Sequence, residues 1–261
     1  MHKALKSIRL LAAGAILLMA SACNGVFDDI YDTPSNATNV MQGQLFVNAT
    51  SWKDWYYVDF DSLQQYVERK DTAGLQRAQT VFTAYPIPTT GAPSDGKTGL
   101  YSYWFDVFGE GISKNERRGY TPTGTQPEPA SWSLAFHRNN VRTNGGAVLE
   151  TRYTSLDELP KNSSEFTGAV FTGDEWSESE VWADQSQMLS GIIGCQGITI
   201  NKVLSSWLRI NIPPMPPQFT LNSHVFIVRL KNGKYAAVQL KNYMDTSGTK
   251  CWLTINYKYP Y

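Results

Sequence analysis

The chain is 261 residues long, with 23 Lys and Arg set against 23 Asp and Glu and an aromatic content of 13%. So even a charge balance argues against nucleic acid as the partner, since phosphate recognition demands a cationic footprint. The length suffices for a sizeable core, in one large β domain or two smaller ones.

Lys3, Lys6 and Arg9 lead into the apolar run Leu10–Met19 and the small residues Ala20, Ser21 and Ala22. That run falls short of the roughly 20 apolar residues that a membrane-spanning helix needs. A basic start, a short apolar stretch and small residues before the cut predict a secretory signal over residues 1–22. Cys23 follows directly, and Ala-Ser-Ala-Cys resembles a bacterial lipobox. The resemblance implies a diacylglycerol on the Cys23 thiol and a mature chain that starts there. Removing the signal takes away three basic residues and leaves a net charge of −3. Residues 23–41 include Asp28, Asp29, Asp32, Pro34 and Ser35 and read as a flexible tether. The acidic cluster after Cys23 also looks like the surface-export signals of some Gram-negative anaerobes. Residues 42–261 are left as a single domain.

That domain reads as β. Gln44–Val47 and Trp55–Phe60 are short β-prone runs, and Tyr101–Val107 is aromatic and β-branched. Ser62–Thr80 predicts one or two short helices, capped by Asp61, with Leu63, Tyr66, Val67 and Leu75 as a weak stripe and Gly74 as an interruption. Pro86–Gly99 and Thr121–Pro129 read as long loops. Ser131–His137 alternates, with Trp132, Leu134 and Phe136 on one face, the period of a half-buried strand. Val225–Leu230 and Tyr235–Leu240 flank Asn232-Gly233, which predicts a hairpin closed by a type I′ turn with positive φ at both residues. Cys251–Tyr257 alternates again and supplies a final strand. Cys195 and Cys251 could pair in an oxidising compartment, but two buried thiols are the preferred reading.

The sequence lacks the motifs of metalloproteases, nucleotide sites and serine hydrolases. Glu175, Glu178 and Glu180 fall in a polar stretch read as loop. Two methionines stand out instead. Met215 lies inside Asn211-Ile-Pro-Pro-Met-Pro-Pro-Gln218, where four prolines fix φ and stiffen the loop. Met188 lies in Ser186-Gln-Met-Leu189, after Trp176 and Trp182 and before the Gly-rich stretch Ser190–Gly197. Taken singly, either Met reads as ordinary core filler.

Three blocks change that reading. Trp132-Ser-Leu-Ala-Phe-His-Arg-Asn-Asn-Val-Arg-Thr-Asn-Gly-Gly146 is similar to the central motif of HmuY-type haem-binding lipoproteins. So are Trp207-Leu208 with its Pro-rich loop and His-Val-Phe-Ile-Val-Arg229, and Val238-Gln-Leu-Lys-Asn-Tyr243 leading to Ile255-Asn-Tyr-Lys-Tyr-Pro260. The resemblance implies an all-β fold: one multi-stranded antiparallel β domain with long loops and at most one or two short helices. It implies a binding protein rather than an enzyme, with haem b held between two axial side chains from loops. It further implies a lipid-anchored place at the outer membrane and delivery to a TonB-dependent outer-membrane haem receptor. Haem would arrive free or from host haemoproteins, and homo-oligomerisation stays open. Where a bis-His relative would carry a ligand in the Pro-rich loop, this chain has Ile212 and, three residues on, Met215. Carried over, the pattern implies Met188 and Met215 as the iron ligands. It makes His137 structural, and His224, at the start of the strand His-Val-Phe-Ile-Val, reads as an edge residue. Thioether sulfur is a soft donor and suits ferrous iron. The competing reading is a surface adhesin or glycan-binding lipoprotein that uses Trp52, Trp55 and Trp104 as aromatic platforms.

Overall fold

The computed structural model describes residues 42–88, 125–186, 188–191, 193–211 and 216–261, with the backbone of 101–104 and 117–118. The signal segment, the tether, Cys23, Met215, the Trp104 side chain, most of the Pro86–Gly99 loop, the first four residues of the Thr121–Pro129 loop and the end of the Tyr101–Val107 run lie outside the described residues.

Among these residues the architecture is antiparallel β, as expected, but with three short α-helices where at most two were expected. In chain order the elements are β1 (Gln44–Asn48), β2 (Asp54–Val58), α1 (Phe60–Glu68), α2 (Thr72–Thr80), β3 (Ala84–Pro86), β4 (Tyr101–Trp104) and β5 (Arg117–Arg118). Then come β6 (Leu134–His137), β7 (Asn140–Thr143), β8 (Ala147–Glu150), β9 (Thr172–Gly173), β10 (Glu175–Asp184), β11 (Ile193–Ile200) and α3 (Lys202–Ser205). The chain ends through β12 (Leu208–Asn211), β13 (Gln218–Leu221), β14 (Phe226–Arg229), β15 (Tyr235–Met244) and β16 (Lys250–Lys258). They form a six-stranded sheet β1-β16-β15-β14-β8-β9 and two four-stranded sheets, β3-β2-β6-β7 and β10-β11-β4-β5. The hairpin β12-β13 forms a sheet of its own.

Side-chain alternation explains the layering. On β2, Val58 joins the main core with Leu134 and Phe136 of β6, while Trp55 and Tyr57 join a second core with Ala135, Val181 and Ile200. Successive residues of a strand point to opposite faces, so β3-β2-β6-β7 is the middle layer, buried on both sides except at its edge strand β3. Its main-core face meets the six-stranded sheet through Phe226, Val228, Val238 and Ile255. The other face meets β10 and β11. The outer face of the six-stranded sheet, at Val225, Ile227 and Ala237, is covered by Tyr153, Leu156, Phe166 and Phe171 from the β8–β9 connection.

Several local expectations are corrected. The helical stretch divides into two, with Lys70 at φ 57° between them. Its cap is Asp59, whose Oδ1 accepts from the Asp61 amide at 3.1 Å. Asp61 pairs with Lys234 Nζ at 2.7 Å and accepts from the Tyr259 hydroxyl, and these contacts hold its carboxyl below the usual range. Gly74 does not interrupt α2. It sits in its first turn, where a Cβ would lie 2.6 Å from the Tyr66 ring. The β14–β15 hairpin forms, but only Gly233 has positive φ, and the Gly233 amide donates to Leu230 O at 2.9 Å. That is a three-residue loop rather than a type I′ turn. Glu175, Glu178 and Glu180 lie on β10, and much of the Gly-rich stretch is β11. Gly197 leaves room for the Trp176 ring, which would meet a Cβ at 2.8 Å. Cys195 and Cys251 are both buried and are not joined.

Candidate functional site

The site is a cleft of about 740 Å³ bordered by the β6–β7 turn, the β10–β11 connection and the β12–β13 hairpin. Its size falls within the range of roughly 300–1,000 Å³ common to small-molecule sites. Two other depressions, of about 240 and 280 Å³, fall below it.

One wall is built on β10. The pairing of β10 with β11 slips between Ser177 and Val181 and again between Trp182 and Asp184. Such irregularities re-aim side chains, and Ser179, Glu180 and Trp182 line the cleft here. The slipped backbone is held from below: Asn140 Nδ2 donates to Glu180 O at 3.0 Å, and His137 Nε2 contacts Trp182 O at 3.0 Å. Met188 opens the 3-10 turn Met188–Ser190 between β10 and β11. Its amide donates to Gln185 O at 3.0 Å, and the Gly191 amide donates to Met188 O at 2.8 Å. The Met188 side chain lines the cleft and packs on Trp182, Ile193 and Cys195.

Trp52 and Arg138 continue this wall. The Trp52 and Trp182 rings stack at 6.2 Å with 22° between planes, and the Arg138 guanidinium carbon lies 4.0 Å from the Trp52 ring centre. Arg138 sits at φ 55° in the two-residue turn between His137 and Asn140. A first turn residue with positive φ normally calls for glycine.

The other border comes from the last third of the chain. Asn201, fully buried, caps α3 by accepting from the Leu204 amide at 2.9 Å. The chain then turns into β12 through Trp207, which stacks on Phe136 at 5.9 Å and donates from Nε1 to Asn139 O at 3.2 Å. Leu208, Ile210 and Asn211 of β12, with Pro217 and Phe219, line the cleft. The Pro-rich loop joins Asn211 to Pro217, so the described residues on either side of it belong to the site. Met215 itself lies outside the described residues.

The histidines are accounted for elsewhere. His137 is fully buried, with Nδ1 3.0 Å from Asp54 O and Nε2 facing Trp182 O. Burial pushes its pKa down to about 4, against the pull of the two carbonyls. Uncharged at neutral pH, it ties β2 to β10, and both nitrogens already face backbone. His224 precedes β14, contacts Glu150 at 2.8 Å and does not line the cleft. Trp55 is no exposed platform: it is fully buried and donates to Gln196 Oε1 at 2.9 Å. Among the described residues, no three His, Cys, Asp or Glu side chains converge on a common metal position. The sequence reading missed Arg138 as a cleft residue. Its only signal was its place beside His137 in the Phe-His-Arg block.

Fold and cleft together define a layered antiparallel β protein with an aromatic-walled cleft of small-molecule size. The chain belongs to the HmuY family: the family model described as HmuY protein matches residues 51–257. Among solved structures, it resembles a protein from Bacteroides vulgatus described as HmuY-like and haem-binding, with 27% identity and a TM-score of 0.55 over 88% of this chain and 98% of that one. A protein from Bacteroides fragilis described as a lipoprotein matches with 26% identity and a TM-score of 0.55, over 84% and 89%. Apo PinO from Porphyromonas gingivitis, at 22% identity and a TM-score of 0.59 over 82% and 95%, shares the fold. No curated protein matches the chain.

Proposed function

We propose that this protein is a haem-binding lipoprotein that holds haem b in the cleft between Met188 and Met215 and passes it to a TonB-dependent outer-membrane haem receptor. The observation that carries this reading is the lining of the cleft. It joins Met188, the stacked Trp52–Trp182 wall and the residues flanking the Pro-rich loop, all within a volume suited to a flat cofactor. A planar apolar ligand needs broad aromatic cover, and iron needs a soft donor near the ring face. Family membership and the haem-binding relative support the same reading.

Two thioether ligands favour ferrous over ferric iron, because Met ligation raises the potential of the bound haem relative to His. Titrating the purified protein with haem, with and without dithionite, should give a Soret shift and tighter binding in the reduced arm. Equal or tighter ferric binding would mean that the ligands are not a pair of methionines.

Cys23 would carry the lipid that tethers the domain through residues 23–41. The Bacteroides fragilis relative described as a lipoprotein supports this anchoring. Cys23→Ala should move the protein from the membrane fraction to the soluble fraction on fractionation. Undiminished membrane association would remove the anchor from the proposal.

A further inference from the structure

We propose that Arg138 binds a carboxylate of the ligand, so that the cleft selects a flat apolar molecule bearing an acidic side arm. This rests on the porphyrin reading above, for which the side arm is a propionate. Three observations lead to it.

The first is charge. Arg138 is half-buried in the cleft wall and makes no ion pair among the described residues. Two other cations nearby are matched. Lys202 lies 3.5 Å from Glu180 and 3.8 Å from Glu175, and Arg142 pairs with Glu128 at 2.8 Å. Arg209 is exposed on β12, where its charge acts on Glu150. A guanidinium that has lost much of its water and has no anion beside it is costly to keep. A carboxylate arriving with the ligand offsets that cost.

The second is donor capacity. A guanidinium carries five N–H groups in a planar fork that matches a carboxylate. Arg138 spends Nη1 on Thr50 O at 3.1 Å, and its face lies on Trp52. The contact with Trp52 fixes the plane of the fork beside the Trp52–Trp182 wall.

The third is backbone. Arg138 holds φ 55° in a two-residue turn, where glycine would be unstrained. Backbone strain of this kind clusters at ligand sites. Here the strained residue is also a cleft cation that has no ion pair among the described residues.

The test uses metal-free protoporphyrin IX and its dimethyl ester, so that iron ligation takes no part. Binding is read by quenching of tryptophan fluorescence, and haem binding to the parent is measured alongside. The parent should bind the diacid about 10- to 100-fold more tightly than the diester, the range expected for a charge-assisted hydrogen bond. Arg138→Gln should abolish most of that difference by weakening diacid binding and sparing diester binding. Arg138→Lys should restore part of it. A parent that binds both forms equally overturns the proposal without any mutant. So does an Arg138→Gln variant that weakens both forms alike, because Arg138 would then only support Trp52. If the parent binds haem but shows either result, the haem reading stands and this assignment falls. If the parent binds neither haem nor protoporphyrin, both fall.

Discussion

Met188→Ala and Met215→Ala will each weaken ferrous haem binding by at least ~10-fold, and the double variant will lose the low-spin six-coordinate spectrum. The scale follows from metal sites in general, where even groups behind the ligands change affinity about 10- to 100-fold. Met188 is only partly buried, against Trp182, Ile193 and Cys195. Its removal should therefore cost less stability than the roughly 2–5 kcal/mol of a fully buried Met→Ala change. Absorbance titration reads the affinity, and chemical denaturation of the ligand-free protein reads the stability. His224→Ala is the control and should leave the spectrum unchanged, since His224 is engaged with Glu150 outside the cleft. A spectrum lost with His224 and kept without the methionines would replace the ligand set.

Trp207→Ala should destabilise the domain by about 3–5 kcal/mol, the cost of emptying a large aromatic site. Trp207 has no exposed surface, stacks on Phe136 and donates to Asn139 O. The loss is a large part of the roughly 5–15 kcal/mol that holds a typical domain together. At this size it corresponds to a fall of about 10 °C in Tm. The variant should also bind porphyrin poorly, because Trp207 leads directly into β12 and so positions one border of the cleft. Trp176→Ala is the matched comparison. Trp176 is 56% exposed, and its loss should cost far less. An unchanged denaturation midpoint for Trp207→Ala would refute this account of the core.

Much of the β architecture is legible in the sequence because strand periodicity is a local signal. Gln44–Val47, Val225–Leu230 and Cys251–Tyr257 all fall on observed strands within a residue or so. The misses have tertiary causes. Asp61 and Asp59 are equally good caps in sequence, and only the approach of Lys234 and Tyr259 claims Asp61 for another role. Gly194 and Gly197 suggest a loop, yet they lie in β11, and Gly197 is where Trp176 crosses. The candidate site was legible in part. Met188 was reached through family resemblance, and it does line the cleft. The wall of Arg138, Trp52 and Trp182 was not legible, because it joins three distant segments and depends on a turn with positive φ.

The pairing of β1 with β16 has a consequence for how the domain is made. Gln44 faces Asn256 and Asn48 faces Trp252, so the first strand of the sheet is zipped to the last. β1 is an edge strand with no other neighbour in its sheet. It stays without that partner until Lys250–Lys258 has been synthesised, Asn256 lying 212 residues after Gln44. Contacts this distant in sequence bring a large loop-closure entropy and slow folding. The six-stranded sheet is therefore completed only when Lys250–Lys258 arrives, and its edge at β1 forms last.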